Sequence, residues 1–151
     1  MSHAREAVLQ ALGQVPLEEA AALLYGLSKT ASGTIAGMSA ERWLLQQAGN
    51  TGEAGERFLM ARLPEERDPL RRLDLIEAIA IKGGPYALTA MLELVESEAL
   101  SAYEVLYVAD RLTRLGTVGE VAPVLKRVAL RVTQPDVRVA LGFDPELPAF
   151  D

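Results

Sequence analysis

Four groups of side chains have types and spacings that could carry chemistry. Glu65, Glu66, Asp68 and Asp74 sit among Arg62, Arg67, Arg71 and Arg72. Paired carboxylates work as acid and base only where a pocket drives their pKa values apart. Alternating signs at a turn between helices more simply make a solvated salt-bridge surface, and that reading is favoured here. The stretch 28–38 is small and Gly-rich, with Gly26 just before it and Lys29, Thr30, Gly33 and Gly37 inside it. Those residues suggest a phosphate cradle, but the order Gly-x-x-x-x-Gly-Lys-Ser/Thr is missing and no strand precedes it. It reads instead as a flexible connector, longer than a usual helical-hairpin loop.

Tyr103, Glu104, Tyr107 and Asp110 fall on one helix. Such a polar-aromatic stripe can line a binding groove, because Tyr offers contact area and a hydrogen-bonding tip. Arg111, Arg114, Lys126, Arg127, Arg131 and Arg138 make a locally basic stretch in which only Glu120 and Asp136 oppose them. Cations near a helix C-terminus also complement its dipole. The chain has no Cys and one His, His3, which excludes disulfides, thiol catalysis, zinc fingers and iron–sulfur clusters. Trp43 reads as core, packing against Phe58. No catalytic residue, metal ligand or cofactor loop is assigned.

The 151 residues are 50% hydrophobic and 24% charged, ordinary for a globular domain, so wholesale disorder is excluded. A formal charge of −6 disfavours nucleic acid as a partner. No apolar run is long enough for a membrane span, and the N-terminus lacks the cationic start of a signal peptide. A cytoplasmic location is expected.

The elements that position these groups are helices. Leu70, Leu73, Ile76, Ile79 and Ala80 repeat at i, i+3 and i+4 spacing. Asp68 is set to cap that helix, Pro69 to open it, and Gly83 to stop it in a left-handed conformation. A second helix follows from Pro85, with Leu88, Met91, Leu92 and Val95 on one stripe. Ser101 with Glu104, and Thr117 with Glu120, make two capping boxes. Gly116 ends the helix between them. The two hairpins superpose at a shift of 33: Leu73 on Leu106, Gly83 on Gly116, Leu92 on Leu125. Leu75/Val108, Ile79/Leu112, Leu88/Val121, Met91/Val124 and Val95/Val128 keep apolar type. An earlier copy fits at 34, through Leu45/Ile79, Gly49/Gly83, Ala54/Leu88, Phe58/Leu92 and Ala61/Val95. A degenerate pair spans residues 2–27. Hairpins near 2–27, 39–63, 69–97 and 101–132, with a fixed period in the thirties, are the mark of an α-solenoid.

The run from Ile76 through Lys82-Gly83-Gly84-Pro85-Tyr86 to Leu92 resembles a short HEAT-like repeat of the type found in phycobilisome lyases. Leu112 to Gly116, continuing through Val121 to Leu125, resembles it again. Lys82 stands where an apolar residue is usual, and Val118 replaces the Pro of the turn. The resemblance implies an all-α, short right-handed solenoid of about four hairpins over residues 1–132; Pro135, Pro145 and Pro148 predict an extended C-terminal tail without helix over 133–151. The resemblance also implies that the second helix of each pair lines a concave face.

On that face the second helices would present Glu53, Glu56 and Arg57, then Tyr86, Thr89 and Glu93, then Lys126, with Tyr103 and Tyr107 as further contact residues. The expected function is non-catalytic: an adaptor, scaffold or assembly factor that binds another protein along this strip. Two alternatives stay open, an immunity-type inhibitor capping a basic partner and a chromophore-lyase-like enzyme. Val8, Leu9 and Leu12 on a half-covered face leave room for a homodimer.

Overall fold

Four of the described helix starts are fixed by side-chain caps. Ser39 accepts from the Arg42 N–H, Asp68 from the Leu70 N–H, Ser101 from Glu104 and Thr117 from Glu120. Each such cap contributes about 1 kcal/mol by satisfying a backbone donor that the first turn leaves unpaired. In the two capping boxes the N3 glutamate also reaches back to the cap's own N–H.

The computed structural model describes residues 17–81, 85–97, 99–132 and 134–142. These residues form eight α-helices: α1 Leu17–Ser28, α2 Ala40–Gly49, α3 Glu53–Arg62, α4 Pro69–Ala80, α5 Pro85–Glu96, α6 Ala102–Leu115, α7 Val118–Arg131 and α8 Pro135–Ala140. A 3-10 turn, Leu63–Glu65, follows α3. The chain divides into two compact units, residues 1–87 and 88–151, with the division inside α5.

In the first unit the α2–α3 hairpin packs against both α1 and α4. Its core holds Leu24, Leu45, Leu59, Leu75, Ile76 and Ile79, all wholly buried. Each contributes roughly 1.5–3 kcal/mol by leaving water. Gly49 sets the spacing between α2 and α4. A Cβ there would lie 2.8 Å from the carbonyl carbon of Ala78 and closer still to its oxygen. Gly49 is therefore not a stop residue: it closes α2, and Asn50 in ordinary right-handed geometry is the cap.

In the second unit α6 packs on α7 and α8 around Val95, Val108, Leu112 and Val128. Gly116 ends α6 as expected, but with φ −125° and ψ 172°, which is extended and not left-handed. Its reason is room. A Cβ would meet Val121 Cγ2 at 2.9 Å and Leu88 Cδ1 at 3.0 Å.

Burial follows the internal repeat at four pairs and differs at two, Leu88 and Leu92 being half-buried where Val121 and Leu125 are buried. Leu75 and Val108, Ile79 and Leu112, Met91 and Val124, Val95 and Val128 are buried in both copies. The copy at 34 holds in its first helix, where Leu45 matches Ile79, and fades in its second, where Ala54 and Ala61 are exposed. Leu70 also departs from its expected stripe: as the second residue of α4 it points outward, 73% exposed.

Two segments are more regular than the sequence suggests. Within 28–38 the chain makes an antiparallel hairpin, β1 Thr34–Ile35 with β2 Met38–Ser39. Ala36 and Gly37 turn it at φ 53° and 83°, the positive pair that matches strand twist. Buried Ile35 anchors it. The tail expected to be extended over 133–151 contains α8. Pro135 opens that helix instead of preventing it, and Val137 and Leu141, at i and i+4, are buried. Residues 1–16, 82–84, 98, 133 and 143–151 lie outside the described residues, so His3, the degenerate start of the first pair, Val8, Leu9, Leu12, Lys82 and the Gly83 stop do too.

Candidate functional site

The expected contact residues separate on inspection of burial. In the first unit, Glu53 and Arg57 stand at i and i+4 on the outer side of α3, their side chains 59% and 60% exposed. Arg57 Nε donates to Glu53 Oε2 at 2.7 Å. The same guanidinium lies over the Tyr86 ring, 4.3 Å from its centroid. Three of the expected residues thus form one preordered patch of charge and aromatic surface.

Glu56 does not join them. It is 4% exposed, because the helix turns it onto the stripe of Gly55, Leu59 and Leu63. In the second unit Thr89 and Glu93 are exposed on α5, and Lys126 is exposed on α7. Tyr103 is 67% exposed. Tyr107 is half-buried and spent locally: its hydroxyl accepts from Arg111 Nη2 at 3.3 Å. Glu104 is buried and serves the α6 cap.

The carboxylate–arginine cluster near residue 70 is more than a solvated surface. Arg71 is 8% exposed. Its guanidinium donates to Glu66 at 2.8 Å, to Glu41 at 2.5 Å and to the buried Ser28 hydroxyl at 3.1 Å. It also lies 5.4 Å from the Tyr25 ring centroid. That ring meets Phe58 edge-on at 5.7 Å, so Phe58's aromatic partner is Tyr25, while Trp43 is buried as expected. Burial disfavours the Arg71 charge, but its hydrogen bonds to Glu41, Glu66 and Tyr25 outweigh that and raise its pKa. Glu66 is held below the ordinary carboxylate range: burial pushes it up, and the Asp68 N–H, Arg71 and the Arg67 N–H pull it down further. Burial pushes Asp74 up, against the attraction of Arg42 and with the repulsion of Glu41 and Glu77. This is the arrangement of a structural clamp joining α1, α2 and α4. A charged residue one turn before Leu75, on a core stripe, is the sequence signal that marks it.

The basic stretch is also partly neutralised from outside its own segment. Arg127 forks onto Glu96 at 2.9 and 3.0 Å, and Arg131 donates to the Glu96 carbonyl. Asp110 pairs with Arg114 at 3.6 Å, and Arg138 Nε is turned inward onto the Val132 carbonyl at 2.6 Å. Helix packing brings Glu96 to these cations across some thirty residues, so the opposition is invisible in a local window.

Among the described residues no group of three or more His, Cys, Asp or Glu is placed to hold a metal ion. No described helix is long and apolar enough to cross a membrane. No known family model, curated protein or solved structure matches this chain.

Proposed function

We propose that the protein is a binding module of the HEAT-like kind, engaging another protein through the Glu53–Arg57–Tyr86 patch. The observation that carries this reading is the Arg57 stack on Tyr86 at 4.3 Å, beside an ion pair on exposed side chains. Arg and Tyr recur among the residues that dominate interface energies, and holding them in place beforehand lowers the ordering cost of association. Equivalent burial at four pairs across the shift of 33 supports the repeat assignment. Thr89, Glu93 and Lys126, exposed in the second unit, and Tyr103 and Tyr107 are proposed as further contact residues.

The test is affinity capture from the native host, comparing the natural chain with Arg57→Ala/Tyr86→Ala and with Tyr86→Ala/Glu93→Ala. A retained protein that is lost from the first variant, while its circular dichroism melt stays normal, supports the patch. An unchanged set of bound proteins refutes it. Loss from both variants assigns the contact to Tyr86, the side chain that both replace.

A further inference from the structure

Arg57 is held at two places and still faces water. One face of its guanidinium lies over the Tyr86 ring, 4.3 Å from the centroid, and its Nε donates to Glu53 Oε2 at 2.7 Å. Yet 60% of the Arg57 side chain is exposed. With Tyr86 on one face of the plane, that exposure falls largely on the opposite face. The surface around it is short and apolar. On a helix the side chains nearest Arg57 are those three and four residues away, here Glu53, Ala54, Met60 and Ala61. Ala54 and Ala61 are exposed and Met60 is half-buried. Methyl side chains are too short to overhang the guanidinium, and a thioether is a favourable neighbour for the edge of an aromatic ring.

Charge is already balanced at this spot. Glu53 offsets Arg57 within the patch, so an acidic group arriving from outside would meet repulsion from Glu53 along with attraction from Arg57. A neutral ring carries no such cost. A guanidinium stacks on aromatic faces while its edge stays bonded to a carboxylate, because the two contacts use different sides of the same plane. Arg57 already makes that combination with Tyr86 and Glu53.

We propose that the partner protein contributes an aromatic side chain, which stacks on the outer face of Arg57 and completes a sandwich with Tyr86 over the Ala54–Ala61 surface. This rests on the reading of the patch as a contact site and adds the chemical class of the residue it receives. The ring, and not a partner carboxylate, is what the neutralised guanidinium selects.

The test pans a phage-displayed library of random peptides on the full chain and measures the recovered sequences, as synthetic peptides, by fluorescence polarisation. Peptides bound through the patch should share Trp, Tyr or Phe and weaken about tenfold on Arg57→Ala, with a circular dichroism melt showing that the variant is folded. Arg57→Lys keeps the charge and loses the plane, so it should not restore them. Raising sodium chloride from about 0.05 to about 0.5 M should change their affinity by less than about twofold, since no net charge is paired. Arg57-dependent peptides that share a carboxylate, regain affinity in Arg57→Lys and weaken about tenfold in salt would overturn the aromatic assignment and leave the patch standing. So would Arg57-dependent peptides with no shared ring, or full rescue of aromatic peptides by lysine. Peptides indifferent to both Arg57→Ala and Tyr86→Ala, or none recovered, would refute the patch and this inference together.

Discussion

Replacing Arg71 by Met tests whether the buried clamp holds the first unit together. The substitution keeps an apolar stem in the Arg71 space and removes three donated bonds, to Glu66, Glu41 and Ser28. Glu41 is more than a third exposed and is rehydrated cheaply, so its share is small. Glu66, with 15% of its side chain exposed, and the buried Ser28 hydroxyl are the groups left stranded. Leaving one member of a buried pair unmatched costs about 3–5 kcal/mol, and the partial exposure here argues for the lower end, about 3 kcal/mol. For a chain of this size that is a fall in Tm of about 6–12 °C. The measurement is a thermal melt followed by circular dichroism at pH 7 and moderate salt. Adding Glu66→Gln to the Met variant should recover part of the loss, because no buried carboxylate then stands alone. A single variant that melts within about 2 °C of the natural chain, well inside the expected shift, would refute the clamp.

Asp74 carries the opposite sign. Its folded pKa is raised above the ordinary 3.8, so the folded state binds a proton that the unfolded chain has lost, and stability falls as pH rises through that interval. Asp74→Asn should therefore melt at or above the natural chain at pH 7, and the gap should close below about pH 3.8; a lower Tm at pH 7 would count against it. Glu66, lowered by its bonds, supports stability above its unfolded value of 4.5 and withdraws that support as pH falls. In an acid titration of Tm, Glu66→Gln should flatten the slope below pH 4.5, and an unchanged slope would contradict this origin. Gly49→Ala should lower stability by about 1–3 kcal/mol in urea melts, since the added methyl meets the Ala78 backbone; an unaltered midpoint would mean α2 and α4 separate freely. Thr117→Ala should cost about 1 kcal/mol by removing the α7 cap, and equal stability of the two chains would show that water replaces it fully.

Local rules were legible wherever the interacting groups lie within one turn. The capping pairs Ser101/Glu104 and Thr117/Glu120, the Asp68 cap with Pro69, and the stripes through Ile79, Leu112 and Val128 follow from spacing alone, because a helix brings i, i+3 and i+4 together whatever surrounds it. The all-α class followed from the same periodicity. Other assignments needed neighbours that sequence distance conceals. Gly116 was legible as a helix stop, yet it is glycine because Val121 and Leu88 crowd it. Arg71 looked like surface, yet Glu41, thirty residues earlier, and Ser28 make its burial tolerable. Glu56 carries a charge and still faces inward, while Glu53 and Arg57 stay out and Arg57 lies over Tyr86. Periodicity determines which side of a helix is apolar; which polar groups lie beneath a neighbouring helix depends on packing between segments far apart in the chain, where burial is possible only after partners arrive.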